Sequence, residues 1–197
     1  MLRKFRFFGS VALLYILAIG TIGSLLYSSH LFGTPVWAKP QPVITKQKTT
    51  PLPPKVISGK PTRIVIASSG IDLPVDDGIY DAAKGTWTLS DTHAQFAVIT
   101  SPANDHAGTT FIYGHGTDAV FGRIGSNPPP VGTTAEVHTD NNHVFTYTLQ
   151  AVKNYDPNDT SIFDDTSSGP PRLIVQTCTG AFSEWRTMFT FRFERVQ

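Results

Sequence analysis

The chain has 197 residues, 40% of them hydrophobic and 11% aromatic, which is enough to build a core and excludes a disordered protein. Sixteen basic against 15 acidic residues leave a net charge of +1, which excludes a nucleic-acid binder driven by bulk charge. A single cysteine excludes a disulfide framework and a multi-cysteine zinc site.

That length suits one medium domain with an appendage. The near-neutral total hides an asymmetry. Residues 1–71 hold no Asp or Glu and nine bases, whereas residues 72–197 hold all 15 acids and seven bases, a net charge of −8. A basic tether is joined to an acidic domain.

The tether opens with Arg3, Lys4 and Arg6, followed by Phe7–Ser29, 23 residues without a charge. At about 1.5 Å per helical residue this stretch spans a hydrocarbon core of roughly 30 Å. The flanking bases put the N-terminus in the cytoplasm and the rest outside, with Trp37 at the outer interface. A cleaved signal peptide is the alternative, since Val36-Trp37-Ala38 has the small-residue spacing of a cleavage site. The apolar stretch exceeds the usual signal core of roughly 7–15 residues, which favours an uncleaved anchor. Residues 1–29 are therefore read as cytoplasmic bases and a transmembrane helix. Residues 30–60 are read as an extended spacer, rich in Pro (40, 42, 51, 53 and 54) and Lys (39, 46, 48, 55 and 60). Residues 61–197 form the globular domain.

Within that domain the pattern predicts eight strands. Arg63–Ala67 and Ile71–Val75 are separated by a Ser69-Gly70 turn. Thr86–Leu89 follows the Lys84-Gly85 turn. Thr109–Tyr113 is strongly β-prone. Glu136–Thr139 and Val144–Leu149 flank Asp140-Asn141-Asn142, a hairpin signal, and the second arm continues through Val152. Arg172–Thr177 and Met188–Phe193 complete the set. Short helices are expected at Ala94–Ile99 and Ala119–Ile124. Eight strands in this span indicate a closed or nearly closed β-barrel.

Chemistry concentrates around Cys178. It ends an apolar strand, where a side chain emerges at a rim, and Thr177, Thr179 and Gly180 surround it. A free thiol in an exported domain is an oxidation liability, so an inert one would be unusual there. A nucleophilic cysteine needs a group that shares its proton. Of the six histidines, His138 and His143 flank the hairpin turn, His30 lies at the membrane boundary, and His93 and His106 lie in polar stretches. His115 follows a strand and sits between Gly114 and Gly116, which allow a tight turn and the close approach of another group. A third group must stabilise an oxyanion. Arg186 lies eight residues beyond Cys178, where an antiparallel return brings it alongside; Arg192, further along the same strand, is the fallback.

Taken in order, Arg63–Val75, Phe111-Ile-Tyr-Gly-His-Gly116, Leu173-Ile-Val-Gln-Thr-Cys-Thr-Gly180 and Trp185-Arg-Thr-Met-Phe-Thr-Phe191 resemble the sortase family over nearly the whole domain. The resemblance implies an eight-stranded sortase barrel. It implies Cys178 as nucleophile, His115 as acid/base and Arg186 as the oxyanion or substrate-positioning group. Thr177 matches the threonine before the family's cysteine and helps shape the substrate groove, with Gly114 and Thr179 beside it. The reaction implied is transpeptidation of a C-terminal sorting signal of Leu-Pro-x-Thr-Gly type. A thioacyl enzyme passes the acyl group to an amine from a cell-wall precursor or a pilin lysine.

The chain departs from the family pattern at Ile174-Val175, where Thr-Leu is common. Its class is left open. The segment from Asn154 to Pro171 matches a loop that helps bind the sorting signal. It carries Asp156, Asp159, Asp164 and Asp165, without the spacing of a Ca²⁺ loop, so a solvated acidic loop is expected and no cofactor. Two rivals stay open: a sortase-like protease that hydrolyses the thioacyl, and an exported binding module with an inert thiol. An L,D-transpeptidase fits poorly, since its histidine closely precedes its cysteine, whereas Gln176-Thr177 stands here.

Overall fold

Short alternating apolar runs, separated by Gly, Pro and Asn, build strands, and eight of them close on themselves. In the computed structural model, residues 55–197 are described; the expected anchor and most of the spacer lie outside them. Among the described residues no helix is long and apolar enough to cross a membrane.

The barrel strands are β1 (Pro61–Ile66), β2 (Ile71–Gly78), β3 (Ala94–Ala97), β4 (Thr109–Gly114), β5 (Thr134–Thr139), β6 (Val144–Tyr155), β7 (Arg172–Thr179) and β8 (Trp185–Val196). Their order around the barrel is β6-β8-β7-β4-β3-β2-β1-β5, and β5 pairs back onto β6. Two neighbours run parallel, β4 with β7 and β2 with β3; the other pairs are antiparallel. Two further two-residue pairings lie outside the barrel: Ser58–Gly59 with Ala103–Asn104, and Tyr80–Asp81 with Thr86–Trp87.

Alternation along the strands sorts side chains onto two faces. Ile64, Ile66, Ile112, Leu173, Val175, Phe189 and Phe191 fill the barrel. On the opposite face, Phe111, Tyr113, Ile174 and Met188 form a second cluster with Ala97. Trp87, Tyr155, Ile162 and Phe163 pack against it. The two short excursions therefore have an apolar reason to fold back. The Tyr80–Trp87 hairpin brings Trp87 against Tyr113, with ring centroids 5.4 Å apart. The Ser161–Phe163 turn brings Phe163 to 4.9 Å from Phe111 and stacks it on Trp87 at 5.7 Å. Burying each large apolar side chain contributes about 1.5–3 kcal/mol.

The strand count agrees with the expectation, but one member differs. Thr86–Leu89 is not a barrel strand; only Thr86 and Trp87 pair, and they do so outside the barrel. The eighth barrel strand is Ala94–Ala97, which was expected to be helical. Its Ala-Gln-Phe-Ala sequence has weak β propensity. All four residues are buried between β2 and β4, and that burial overrides propensity. The expected helix at Ala119–Ile124 is a one-turn helix, α1, at Gly122–Ser126, preceded by turns. The hairpin between β5 and β6 forms as read, with Asn142 at φ 66° in the turn.

Candidate active site

Three strand ends meet at one rim of the barrel. In the antiparallel pair β7–β8, Cys178 lies directly opposite Arg186. In the parallel pair β7–β4, Thr177 lies opposite Gly114, so Cys178 and His115 are the next residues along adjacent strands. Cys178 shares the face of Ile174, and Arg186 shares the face of Met188. His115 continues the parity of Phe111 and Tyr113. Cys178, His115 and Arg186 thus stand at neighbouring positions on one face, at the edge of the outer apolar cluster.

The loops that hold them depend on close backbone approach. Gly116 passes against Cys178, and a Cβ there would collide with the Cys178 carbonyl. Gly114 faces Val120 and Phe121, with a Cβ falling 2.6 Å from Val120 Cγ1. The Phe121 N–H donates to the His115 carbonyl at 3.0 Å and fixes the turn. His115 Nε2 also faces the Asp91 carboxylate at 3.7 Å. Arg186 Nη1 donates to the Ser183 carbonyl at 3.1 Å, tying the β7–β8 turn to the guanidinium.

Beneath the site, hydroxyls lock the strands together. Thr177 is fully buried and donates from Oγ1 to the Gly114 carbonyl at 3.2 Å. Thr179 and Thr187 share a hydrogen bond of 2.6 Å, and Thr187 donates onward to Asn154 Oδ1 at 2.8 Å. Thr179 lines a recess of about 180 Å³ beside Cys178, together with Gly116, Gly122, Gly125, Ser126 and Gly180.

The structure therefore brings Cys178, His115 and Arg186 together, with Thr177 and Gly114 buried below and Thr179 at the recess. Arg192 is placed elsewhere. It lies opposite Arg172, six positions from the Cys178–Arg186 pair, and bonds Glu194 at 2.8 Å. That is about 20 Å along the strand at roughly 3.3 Å per residue. Sequence reasoning did not single out Trp87, Tyr155, Phe163, Asp91 or Ser126. Trp87 was expected inside a barrel strand, and Phe163 carried no signal beyond being aromatic in an acidic loop.

Burial and bonding tune the neighbourhood. The Tyr113 phenol is pushed well above its ordinary range by desolvation, so it stays protonated and donates to the Thr88 carbonyl at 2.8 Å. In the acidic loop the Asp159 carboxyl is held below its ordinary value by Ser161, and Asp165 by Ser168. These carboxylates brace their own turns.

Comparison with known proteins bears on the family and the fold. The family model of the sortase domain matches residues 64–192, which includes all three rim residues. No curated protein matches the chain. Among solved structures, the chain is similar to sortase E1 from Streptomyces coelicolor with a tripeptide in the active site, at TM-score 0.56 and 20% identity. The match covers 71% of this chain and 90% of that one. Sortase A from Listeria monocytogenes matches at TM-score 0.52 and 21% identity, over 72% and 90% of the two chains. Sortase C from Clostridium perfringens matches at TM-score 0.53 and 15% identity, over 71% and 72%. At these identities the structures speak for the fold, and they span several sortase classes. With the domain match covering most of the chain, the protein belongs to the sortase family of cysteine transpeptidases.

Proposed function

We propose that this protein is a membrane-anchored transpeptidase that cleaves a C-terminal sorting signal of Leu-Pro-x-Thr-Gly type and joins the new C-terminus to an amine. The observation that carries the reading is the strand register, which sets Cys178 opposite Arg186 and beside His115.

The Cys178 thiolate attacks the threonine carbonyl carbon of the signal. Arg186 donates to the oxygen as negative charge develops on it. The Thr–Gly bond breaks, and imidazolium His115 gives its proton to the departing glycine amine. A thioacyl bond to Cys178 remains. An acceptor amine then attacks that carbonyl, passes a proton to His115 and expels the Cys178 thiolate, which restores the starting pair. No cofactor enters these steps.

The extended signal lies along the outer face, where the half-buried Trp87, Tyr155, Ile162 and Phe163 offer apolar surface above the buried Phe111, Tyr113, Ile174 and Met188. Thr179 contacts it near the thiol, while Thr177 and Gly114 hold β7 and β4 in register below. The segment between β6 and β7 covers this face through Ile162 and Phe163. Residues 1–29 anchor the chain with its N-terminus in the cytoplasm, residues 30–60 act as a spacer, and the catalytic domain works outside the membrane. Partners are surface proteins bearing the signal and an amine donor from a wall precursor or a pilin.

A panel of sorting-signal peptides incubated with the full chain in detergent, with and without an added amine, tests the reading. The expected products are an amide with amine present and free acid without it, both lost in Cys178→Ala. Free acid alone, at any amine concentration, would identify a protease instead. An absence of cleavage, with a thiol that resists alkylation in the folded state, would favour the binding module.

A further inference from the structure

The bases of the domain are not spread evenly. Of the seven in residues 72–197, five lie on β6, β7 and β8: Lys153, Arg172, Arg186, Arg192 and Arg195. Those three strands carry one acid, Glu194, so the rest of that span holds two bases against 14 acids. The register puts all five bases on one face. Tyr155 lies opposite Arg186 and Lys153 opposite Met188, while Thr148 and Arg172 flank Arg192. Tyr155 and Met188 belong to the outer cluster, so these positions share the face of Cys178. Glu194 falls in the bulge of β8 that leaves Arg195 opposite Thr146, two positions along β6 from Thr148 and on the same face. Glu194 pairs with Arg192 at 2.8 Å. Among the described residues, Lys153, Arg172 and Arg195 form no ion pair. Lys153 and Arg195 are exposed, and Arg172 is half-buried, with Nε donating to Thr109 Oγ1 at 2.7 Å. A basic face therefore runs down an otherwise acidic domain, and it begins at the thiol.

We infer that this face receives an acidic segment just upstream of the sorting signal, so that the preferred substrates are surface proteins with Asp or Glu in the residues before the signal's leucine. The inference rests on the proposed transpeptidase reading and extends it from the signal to its flank. In that reading the acyl half of the signal lies on the outer face, with its threonine at Cys178. Arg172 lies six positions from Cys178 along β7, about 20 Å at roughly 3.3 Å per residue. An extended chain with its threonine at the thiol puts its leucine about 10 Å away. The residues that precede the leucine by about three positions then come level with Arg172 and Arg195. Lys153, on the far side of β8 from β7, flanks the path between. Charge complementarity selects the occupant. The rest of the domain repels an acidic segment and this face attracts it, so the field orients the substrate before the signal engages. Each exposed pair is weak, and three together amount to about tenfold in affinity.

The test uses the full chain in detergent and three peptides with the same sorting signal. They differ in the six residues before it, which contain three Glu, three Lys, or only Ser and Gly. Steady-state cleavage gives kcat and KM for each. The glutamate flank is expected to lower KM about tenfold against the neutral flank with kcat retained, and the lysine flank to raise it. The glutamate advantage shrinks at about 1 M salt, where the screening length is roughly 3 Å. Lys153→Glu combined with Arg195→Glu brings the glutamate and neutral flanks to within about twofold of each other, whereas Lys60→Glu, before β1, leaves the advantage in place. Equal KM values for the glutamate and neutral flanks, with the signal still cleaved, overturn the flank site alone. So does an advantage that survives in the double variant or is lost equally in Lys60→Glu. Turnover that ignores the flank but follows phosphatidylglycerol added to the micelle assigns the face to the membrane surface, and overturns the proposal too. Failure of the wild-type chain to cleave any of the peptides overturns the transpeptidase reading, and this inference with it.

Discussion

The two sides of Cys178 are built from different chemistry. On the outer face, Phe111, Tyr113, Ile174 and Met188 are covered by Trp87 and Phe163, a packed apolar surface held by ring contacts. On the rim side, Gly116 and Gly122 let backbone approach backbone, Gly125 passes the methyls of Thr177 and Thr179, and Ser126 lines both the recess beside Cys178 and a polar pocket with Asp118 and Arg123. The contrast shows how one strand end is held between two unlike walls: ring packing fixes the first, and the absence of side chains lets the chain approach closely on the second.

The largest effects separate the shared centre from both sides. His115→Ala lowers turnover by about 10²–10⁴, and Cys178→Ala removes it. Arg186→Ala lowers turnover by about 10²–10³, as expected for a lost oxyanion donor, while Arg192→Ala leaves it unchanged. Steady-state kinetics on a quenched peptide checks both. The reverse order for the two arginines would break the assignment drawn from the β7–β8 register.

Smaller effects sharpen the difference between the sides. Trp87→Ala raises the peptide KM about tenfold with kcat retained, because it removes apolar contact area worth about 1.5–3 kcal/mol on full burial. Gly116→Ala acts in the opposite manner. It forces a methyl group onto the Cys178 carbonyl, so it costs about 1–3 kcal/mol of stability and lowers kcat more than it changes KM. If both variants altered KM alike, the division into two sides would fail.

The smallest expected effect concerns the bond that ties the Tyr80–Trp87 hairpin to the outer face. Tyr113→Phe loses the bond to the Thr88 carbonyl, about 1 kcal/mol by thermal unfolding. The folded-state phenol pKa is raised above the ordinary value of 10.0, so its stabilising contribution is complete below that pH and declines as pH rises beyond it. The phenylalanine variant therefore loses less stability between pH 10 and pH 11 than the wild-type chain does.

The legibility of this molecule followed local chemistry. The placement of Cys178 at a strand end, His115 between two glycines and Arg186 on an antiparallel return was readable because Cys178 and Arg186 lie in strands with strong β propensity and His115 directly follows one. The hairpin at Asp140–Asn142 was readable from its turn residues. Ala94–Ala97 was not, because its strand state comes from the β2 and β4 neighbours rather than from its own residues. Trp87 and Phe163 are 76 residues apart in the chain, and only the closed barrel brings their rings together. The Asp118–Arg123 pocket left no motif at all, since its walls come from the β1–β2 turn and the segment after β4.

The most direct measurement is intact mass of the full chain quenched within one turnover of a sorting-signal peptide, followed by mapping of the modified residue. The expected result is a mass increase equal to the acyl fragment ending in threonine, located on Cys178, with no increase in Cys178→Ala and slower accumulation in Arg186→Ala. Cleaved peptide without an adduct on Cys178, or an adduct that forms equally well in Arg186→Ala, would contradict it.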